Sequence, residues 1–366
     1  MKTAPGRALC VLALGGAIAA SPLRSTAAQE TQGAPAAADT TKKRYRPVPL
    51  FQEGEALELT LRAPFRALGR DRAAEVDWRP AHVEYAGAEG TVSVPVRVRT
   101  RGIWRKANCQ MPPLLFNFAK DSTKGTLFAR IDRLRLSMHC RDNDAYEQYV
   151  LQEFQVYRAQ RLLTALSFDV RLARVTYVDS ERGDTVSRRW AFLQEQDEPF
   201  AERVGVLLVE QKGAGPSDLD PYESAFFGVF QYFVANSDFS ISGLHNVVLT
   251  YREPFHIPVA RDFDWSGAVN ARYAKPNPVL KIPNVRYRIM RGYCALPEQY
   301  ERVFALFKEK QDAIYALYSE TDPVGRLMTP DVRKQTLEYF GDFYKTIGDA
   351  AEARKEIIER CLGGPA

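Results

Sequence analysis

Residues 236–265 place acidic and amide side chains around one predicted pair of strands. The segment begins Asn236-Ser-Asp-Phe-Ser-Ile-Ser-Gly-Leu-His-Asn, continues through a short hairpin and ends in Arg-Asp-Phe-Asp-Trp. This combination suits metal-assisted phosphoryl transfer, in which one acid orients or deprotonates a hydroxyl and other oxygen ligands hold a divalent cation against phosphate. We predict Asp238 as the acid that acts on the hydroxyl. The predicted cation ligands are Asn246, Asp262 and Asp264.

Each of these residues also has an ordinary structural explanation. Asn and Asp are common in polar turns, and a strand can end in two acids without any function. The pair that flanks Phe263 is harder to explain in this way. Two carboxylates beside a large aromatic residue, at the end of an apolar strand, lose hydration unless a cation or hydrogen-bond donors compensate them.

A basic loop follows the strictly alternating strand over 92–98. It reads Arg99-Thr-Arg-Gly-Ile-Trp-Arg-Lys, so Arg101 and the glycine after it can offer guanidinium and backbone donors to a phosphate chain. The spacing matches neither familiar glycine-rich phosphate loop, and a simple basic turn is the alternative.

Lys120 continues the two-residue alternation of Leu114, Phe116 and Phe118. Lys120 therefore shares the strand face of these apolar residues, which places its ammonium group beside a predicted helix over 144–166 that carries Glu153. A strand Lys paired with a helix Glu positions nucleotide phosphates in protein kinases. An exposed Lys120 is the alternative, and the other lysines that can serve are Lys106 and Lys124.

Glu195 and Asp197 come just after a predicted buried strand. At a crossing between two lobes, the backbone of such a strand can meet an adenine edge, and the acids can meet a ribose or a second cation. A polar linker is the alternative reading of this segment.

The N-terminus has the pattern of a secretory signal peptide. Lys2 and Arg7 precede an apolar run over 8–20, and small residues end at Ala28, so we predict a signal peptide over 1–28 and a disordered spacer over 29–44. The run is too short for a stable membrane span, and no later segment offers one. These features predict a secreted or periplasmic protein.

Charge and cysteine content limit the partners. The formal net charge is +5; three of the basic residues and no acid lie in the first 28 positions, which leaves +2 for the mature chain and no electrostatic reason to expect nucleic acid. Export leaves four cysteines, and their positions favour the disulfides Cys109–Cys140 and Cys294–Cys361. Metal binding by cysteine is the alternative, although no two are at a short chelating spacing.

The order of elements predicts the fold class. Alternating strands dominate 45–205, with one inserted helix, whereas helices dominate 206–366, which also contain the hairpin over 246–260. Helices are predicted over 222–235, 298–318, 331–345 and 350–361. We therefore predict an α+β, bilobal, protein-kinase-like fold with a β-rich N-lobe over 45–205 and a helical C-lobe over 206–366.

Several motifs together resemble the spore-coat CotH kinase group of atypical kinases, over residues 90–270. In chain order these are a strand leading to Arg-Gly, Pro-Pro-Leu-Leu-Phe-Asn-Phe at 112–118, a Leu-x-Leu strand, Leu-Gln-Glu at 193–195, Asn-x-Asp at 236–238, His-Asn at 245–246 and Asp-Phe-Asp at 262–264. The resemblance implies that Asp238 is the catalytic acid, that Asp262 and Asn246 are metal ligands, and that Glu195 belongs to the nucleotide-binding crossing.

Three functions agree with these observations. The first is an exported phosphotransferase that uses ATP and Mg²⁺ or Mn²⁺ to phosphorylate a protein or another hydroxyl-bearing acceptor. The second is a kinase-fold binding or scaffold protein of the cell envelope without turnover. The third is a hydrolase that uses the same carboxylates and a metal on water.

Overall fold

Seven strands close into a barrel in the first part of the chain. The computed structural model describes residues 45–52 and 54–363, so the predicted signal peptide over 1–28 and spacer over 29–44 lie outside the described residues. The barrel strands are β1 (Leu57–Ala63), β2 (Arg79–Gly87), β3 (Gly90–Thr100), β4 (Leu114–Asn117), β5 (Arg133–Ser137), β6 (Val170–Asp179) and β7 (Thr185–Gln194).

The strand order around the barrel is β1-β2-β3-β4-β5-β7-β6. Neighbours are antiparallel except β1 and β6, which pair in parallel with Leu57 opposite Ala173 and close the sheet on itself. The prediction of a bilobal, protein-kinase-like fold is therefore wrong, because such a fold has an open sheet in its first lobe. The alternation of side chains specifies each strand but not the distant partner that closes the barrel.

The predicted alternation does fill the barrel interior. Val94, Val96 and Val98 on β3 are at most 4% exposed, while the residues between them face outward. The same parity on other strands buries Leu114 and Phe116, at 1% exposure each. At about 25 cal/mol per Å² of apolar surface removed from water, such inward side chains are the main stabilising term of the barrel.

Eight α-helices occur in the described chain. They are α1 (Phe65–Leu68), α2 (Trp104–Asn108), α3 (Asp144–Leu163), α4 (Asp197–Val204), α5 (Pro221–Val234), α6 (Pro297–Ala316), α7 (Pro330–Gly348) and α8 (Ala350–Ala353). The last continues as a π-helical turn over Arg354–Ile358. None of the described helices is long and apolar enough to cross a membrane.

Helix α3 connects the barrel to the helical part of the chain. It packs against β7 on one side and α6 on the other, and most of its residues are buried. Its N-cap is Asn143: the Asn143 side chain accepts a hydrogen bond of 3.2 Å from the Tyr146 backbone N–H. Asn and Asp are equally good N-cap residues, so the sequence Asn143-Asp144 predicts the start of α3 only to within one residue.

A second sheet has three antiparallel strands, β8 (Leu207–Val209), β9 (Val247–Arg252) and β10 (Phe255–Ala260), in the order β10-β9-β8. Helix α5 packs on β10 and on α6. The predicted disulfides are confirmed, with Cys109 bonded to Cys140 and Cys294 bonded to Cys361. The predicted boundary near residue 205 stays a prediction.

Candidate functional site

Three carboxylates converge where α3 meets the end of β10. Glu153 comes from the middle of α3, and Asp262 and Asp264 follow β10 directly; one oxygen of each lies within 4.8 Å of the others. Glu153 and Asp264 are 3% and 5% exposed, and Asp262 is half-buried, so the cluster reaches solvent on the Asp262 side. These three residues are called the acidic triad below.

One face of α3 aligns the triad. Glu153, Tyr157 and Gln160 lie four and three residues apart and therefore share a face. The Tyr157 hydroxyl accepts a hydrogen bond of 2.9 Å from the Asp262 backbone N–H, and the Gln160 side-chain amide donates one of 3.2 Å to the Ala260 carbonyl. The chain leaving β10 is thus attached to α3 at two points, which sets Asp262 and Asp264 opposite Glu153.

Burial and mutual repulsion disfavour ionisation of the triad. Burial, and then the charges of Asp264 and Asp262, hold the pKa of Glu153 well above its usual range. Burial, and then the charge of Asp262, raise the pKa of Asp264 to about 6. Three buried acids this close are costly as anions unless a cation sits among them. A divalent ion relieves both desolvation and repulsion at once.

Two donors contact Asp264 from other elements. The Tyr273 hydroxyl donates a hydrogen bond of 3.1 Å to its carboxylate. Arg105, on α2, lies 3.8 Å from the same carboxylate and is only 12% exposed. Arg101 begins the same loop and donates to the Ser137 hydroxyl at 3.2 Å, and its charge lowers the pKa of Glu153 and Asp264. The predicted basic loop therefore borders the triad, with Arg105 in the ion pair.

A second polar group surrounds Asp238. One carboxylate oxygen lies 3.1 Å from His245 Nε2, and the other accepts a hydrogen bond of 3.1 Å from the Asn246 side-chain amide. The same amide also donates to the Asp238 carbonyl at 2.8 Å. Asn246 is thus directed to Asp238, and the third acid beside Asp262 and Asp264 is Glu153. The role of Asn246 as a cation ligand stays a prediction.

The two groups lie at the same end of the β9–β10 hairpin. Asn246 immediately precedes β9 and Arg261 immediately follows β10, and the Arg261 N–H donates to the Asn246 carbonyl at 3.3 Å. Asp262 therefore directly follows Arg261, which contacts Asn246, the hydrogen-bond partner of Asp238. The segment after β10 also contacts the end of α5, where the Gly267 N–H donates to the Ala235 carbonyl at 3.0 Å.

Lys120 occupies a position that differs from the one predicted, whereas Glu195 directly follows β7, as predicted. Strand β4 ends at Asn117, so Lys120 lies in the following turn, where it is exposed and forms no ion pair with any described residue. Its predicted pairing with Glu153 does not occur. Glu195 is 2% exposed, and its carboxylate accepts hydrogen bonds from Arg203, the shortest of 2.7 Å, and one of 3.1 Å from the Asp169 backbone N–H. That carboxylate holds β7 to neighbouring segments.

An aromatic cluster stands beside the triad. Trp104 stacks on Tyr273, with ring centres 5.3 Å apart, and meets Trp265 edge-on at 5.5 Å. Each of the three is adjacent to a site residue: Trp104 precedes Arg105, Trp265 follows Asp264, and Tyr273 donates to Asp264. Trp104 lies far in the sequence from Trp265 and Tyr273, so no periodicity links the three residues.

Comparison with known proteins leaves the site to be interpreted on its own geometry. The chain matches no protein-family model and no curated protein. The resemblance to the CotH kinase group stays a prediction. The functional assignment therefore depends on the acidic triad and the groups around it.

Proposed function

We propose that this protein binds a divalent cation, Mg²⁺ or Mn²⁺, at Glu153, Asp262 and Asp264 and uses it to transfer a phosphoryl group from ATP to a hydroxyl acceptor. The observation that carries the proposal is the convergence of three carboxylates within 4.8 Å in a largely buried position. A buried anionic cluster of this kind lowers the stability of the protein unless a ligand offsets its charge.

The ligand type favours a hard cation. All three groups offer carboxylate oxygens, which suit Mg²⁺ and Mn²⁺, whereas zinc sites typically include Cys or His. Glu153 is 3% exposed, and the carboxylates of Asp262 and Asp264 lie within 4.8 Å of its own. Carboxylates that are buried this close together need a compensating cation, and a metal ion supplies one.

The surroundings favour phosphate as the group brought to the cation. Arg105 and Arg101 border the triad and supply positive charge on the α2 side. Phosphoryl transfer needs such charges to stabilise oxygens that become more negative in the transition state. The Asp238 group, at the same end of the hairpin, supplies polar side chains for the hydroxyl acceptor. The acceptor is a protein or a small hydroxyl compound.

The two disulfides support action outside the cytoplasm. Such bonds form and persist in oxidising compartments, which agrees with the predicted secreted or periplasmic location. An acceptor on or near the cell envelope fits this location.

Metal and nucleotide binding can be tested by thermal unfolding. Mn²⁺ or Mg²⁺ should raise the unfolding temperature, and ATP should raise it further in their presence, because both ligands bind the folded state. Asp262→Asn should abolish both shifts. The control is Glu309→Gln, which alters an acid 66% exposed on α6 and should leave both shifts intact. A wild-type protein whose unfolding temperature no divalent cation changes would contradict the proposal.

Turnover needs a separate measurement. ADP formation from ATP and Mn²⁺ is compared with and without peptides that contain Ser, Thr and Tyr, and phosphate on the peptide is quantified. Phosphopeptide identifies a phosphotransferase, and free phosphate alone identifies a hydrolase. Binding without ADP formation would show a binding protein without turnover and would overturn the enzymatic part of the proposal.

A further inference from the structure

His245 is directed by Asp238 in a way that leaves one ring nitrogen free. His245 Nε2 lies 3.1 Å from an Asp238 carboxylate oxygen. A carboxylate can only accept a hydrogen bond, so Nε2 carries the hydrogen, and Nδ1 of the neutral ring then carries the lone pair. No group of the described chain forms a hydrogen bond with Nδ1. The side chain is 58% exposed, so an incoming hydroxyl can reach it.

The same geometry limits what Asp238 can do. Its other carboxylate oxygen accepts from the Asn246 amide at 3.1 Å, and its backbone N–H donates to the Asn236 side chain at 3.0 Å. Both oxygens therefore have partners within the loop. This arrangement suits an orienting carboxylate better than a group that must accept a proton from the acceptor.

The loop holds His245 in place through its backbone. Ser240 and His245 exchange two backbone hydrogen bonds of 3.0 Å each. Arg291 donates to the carbonyls of Ser237 and Phe239, which flank Asp238. His245 is held through its backbone and through Nε2, so its side chain loses little conformational freedom when a substrate binds. A catalytic base requires such preorganisation.

We propose that His245 is the general base of the reaction and that Asp238 is its positioning residue. The proposal rests on the phosphoryl-transfer function inferred above. The acceptor hydroxyl gives its proton to His245 Nδ1, and its oxygen forms a bond to the terminal phosphorus of ATP. The bond from that phosphorus to the bridging oxygen breaks, and ADP leaves with the electron pair. The imidazolium then releases the proton to solvent, to which His245 is open.

The test replaces His245 by Ala and by Asn and follows two readouts. The unfolding shift with Mn²⁺ and ATP should stay within error of the wild type, because neither change touches the triad. Metal-dependent ADP formation with the peptide mixture should fall about 10²–10⁴-fold in kcat, the usual contribution of a general base. Added imidazole should restore activity to His245→Ala, because the free base fills the vacated space.

Two further variants sharpen the result. His82→Ala alters an exposed histidine on the barrel strand β2 and should leave kcat unchanged. Asp238→Asn should lower kcat while binding persists, because an amide can favour the wrong imidazole tautomer.

Two outcomes would overturn the proposal: kcat of His245→Ala within twofold of wild type, or a loss of kcat that imidazole does not restore. A wild type that binds metal and ATP without transfer, or that binds neither, would instead refute the proposed function itself.

Discussion

The Tyr273 hydroxyl donates a hydrogen bond of 3.1 Å to Asp264, one of the three acids of the triad. The same ring stacks on Trp104 with centres 5.3 Å apart, so the aromatic cluster determines where the hydroxyl points. A donor of this kind orients a metal ligand without touching the metal. The affinity of the proposed cation site should therefore depend on a residue that is not a ligand.

Tyr273→Phe keeps the stacked ring and removes only the hydroxyl. We expect the Mn²⁺ dissociation constant to rise about 10–100-fold, the usual effect of losing a hydrogen bond to a metal ligand. Isothermal titration with Mn²⁺ measures this change. Tyr146→Phe is the matched control, because Tyr146 stacks on the same ring at 6.0 Å and forms no hydrogen bond with the triad. Equal affinities in the two variants would contradict the role given to the hydroxyl.

Asp264→Asn should stabilise the metal-free protein. The substitution removes a charge that burial and the charge of Asp262 both disfavour, while the carboxylates of Glu153 and Asp262 remain near Arg105, so the free energy of unfolding should rise by about 0.5–2 kcal/mol. The same change should eliminate stabilisation by Mn²⁺. Urea unfolding with and without Mn²⁺ checks both effects. A variant that is less stable without metal would indicate that the triad contributes to folding rather than to binding.

The Glu195–Arg203 ion pair should contribute to the fold and not to nucleotide binding. The side chains of Arg203 and Glu195 are 10% and 1% exposed, and 2.7 Å separates the closest nitrogen and oxygen. Arg203→Met leaves a buried carboxylate without its cation and should cost about 3–5 kcal/mol in urea unfolding. The double change with Glu195→Leu should recover much of that loss. ATP affinity of the double variant should match the wild type, and a large decrease would restore Glu195 as a nucleotide contact.

His139 should make the protein less stable in mild acid. Its side chain is fully buried, and burial lowers its pKa to about 4, with the charge of Asp142 opposing the shift and those of Arg189, Arg105 and Arg174 adding to it. In the unfolded chain a histidine protonates near pH 6.5.

The stabilisation that neutral His139 provides is therefore fully present above about pH 6.5. As the pH falls from there toward 4, the free energy of unfolding decreases by about 3 kcal/mol in total. His139→Gln cannot take up the proton, so its free energy of unfolding should change less over this range than that of the wild type. His82→Ala, at an exposed position, should keep the wild-type slope. Identical slopes for His139→Gln and the wild type would contradict this expectation.

The two disulfides should differ in their effect on the site. They join residues 31 and 67 positions apart, and the chain-entropy relation gives about 4 kcal/mol for each. Only Cys109 adjoins α2: its N–H donates to the Arg105 carbonyl at 2.9 Å. Replacing Cys109 and Cys140 by Ala should lower both stability and Mn²⁺ affinity, whereas replacing Cys294 and Cys361 should lower stability alone. If the two double-cysteine variants bind Mn²⁺ with equal affinity, the position of α2 does not influence the metal site.

Local patterns account for most of the elements. The two-residue alternation over 92–98 predicts β3, the three-and-four repeat over 144–166 predicts α3, and the cysteine positions predict both disulfides. The strand and the helix depend on residues that are close in sequence, and the disulfides depend on a set of only four cysteines. The parallel pairing of β1 with β6 depends on neither, because both strands alternate in the same way as any other strand of the barrel.

The site shows the same limit. Asp262 and Asp264 were predicted to share a cation because they are neighbours in sequence, and the structure places them together. Glu153 was predicted beside a lysine, whereas it lies beside these acids, because the contacts of Tyr157 and Gln160 bring the end of β10 to α3. In the sequence His245 is only the first residue of the His-Asn motif at 245–246, and its contact with Asp238 could not be predicted because it depends on how the loop folds back on itself.

Because the barrel closes by pairing β1 with β6, it can be completed only after a late part of the chain has been synthesised. Strand β1 is synthesised long before β6, and until β6 arrives it has hydrogen-bonding groups along one side with nothing to pair with. A truncated chain that stops before Val170 lacks both β6 and β7, so the edges of β1 and β5 are left unpaired and open to other strands. Because the closing pair joins residues as distant in the chain as Leu57 and Ala173, we expect the barrel to form slowly and only after β6 and β7 are available.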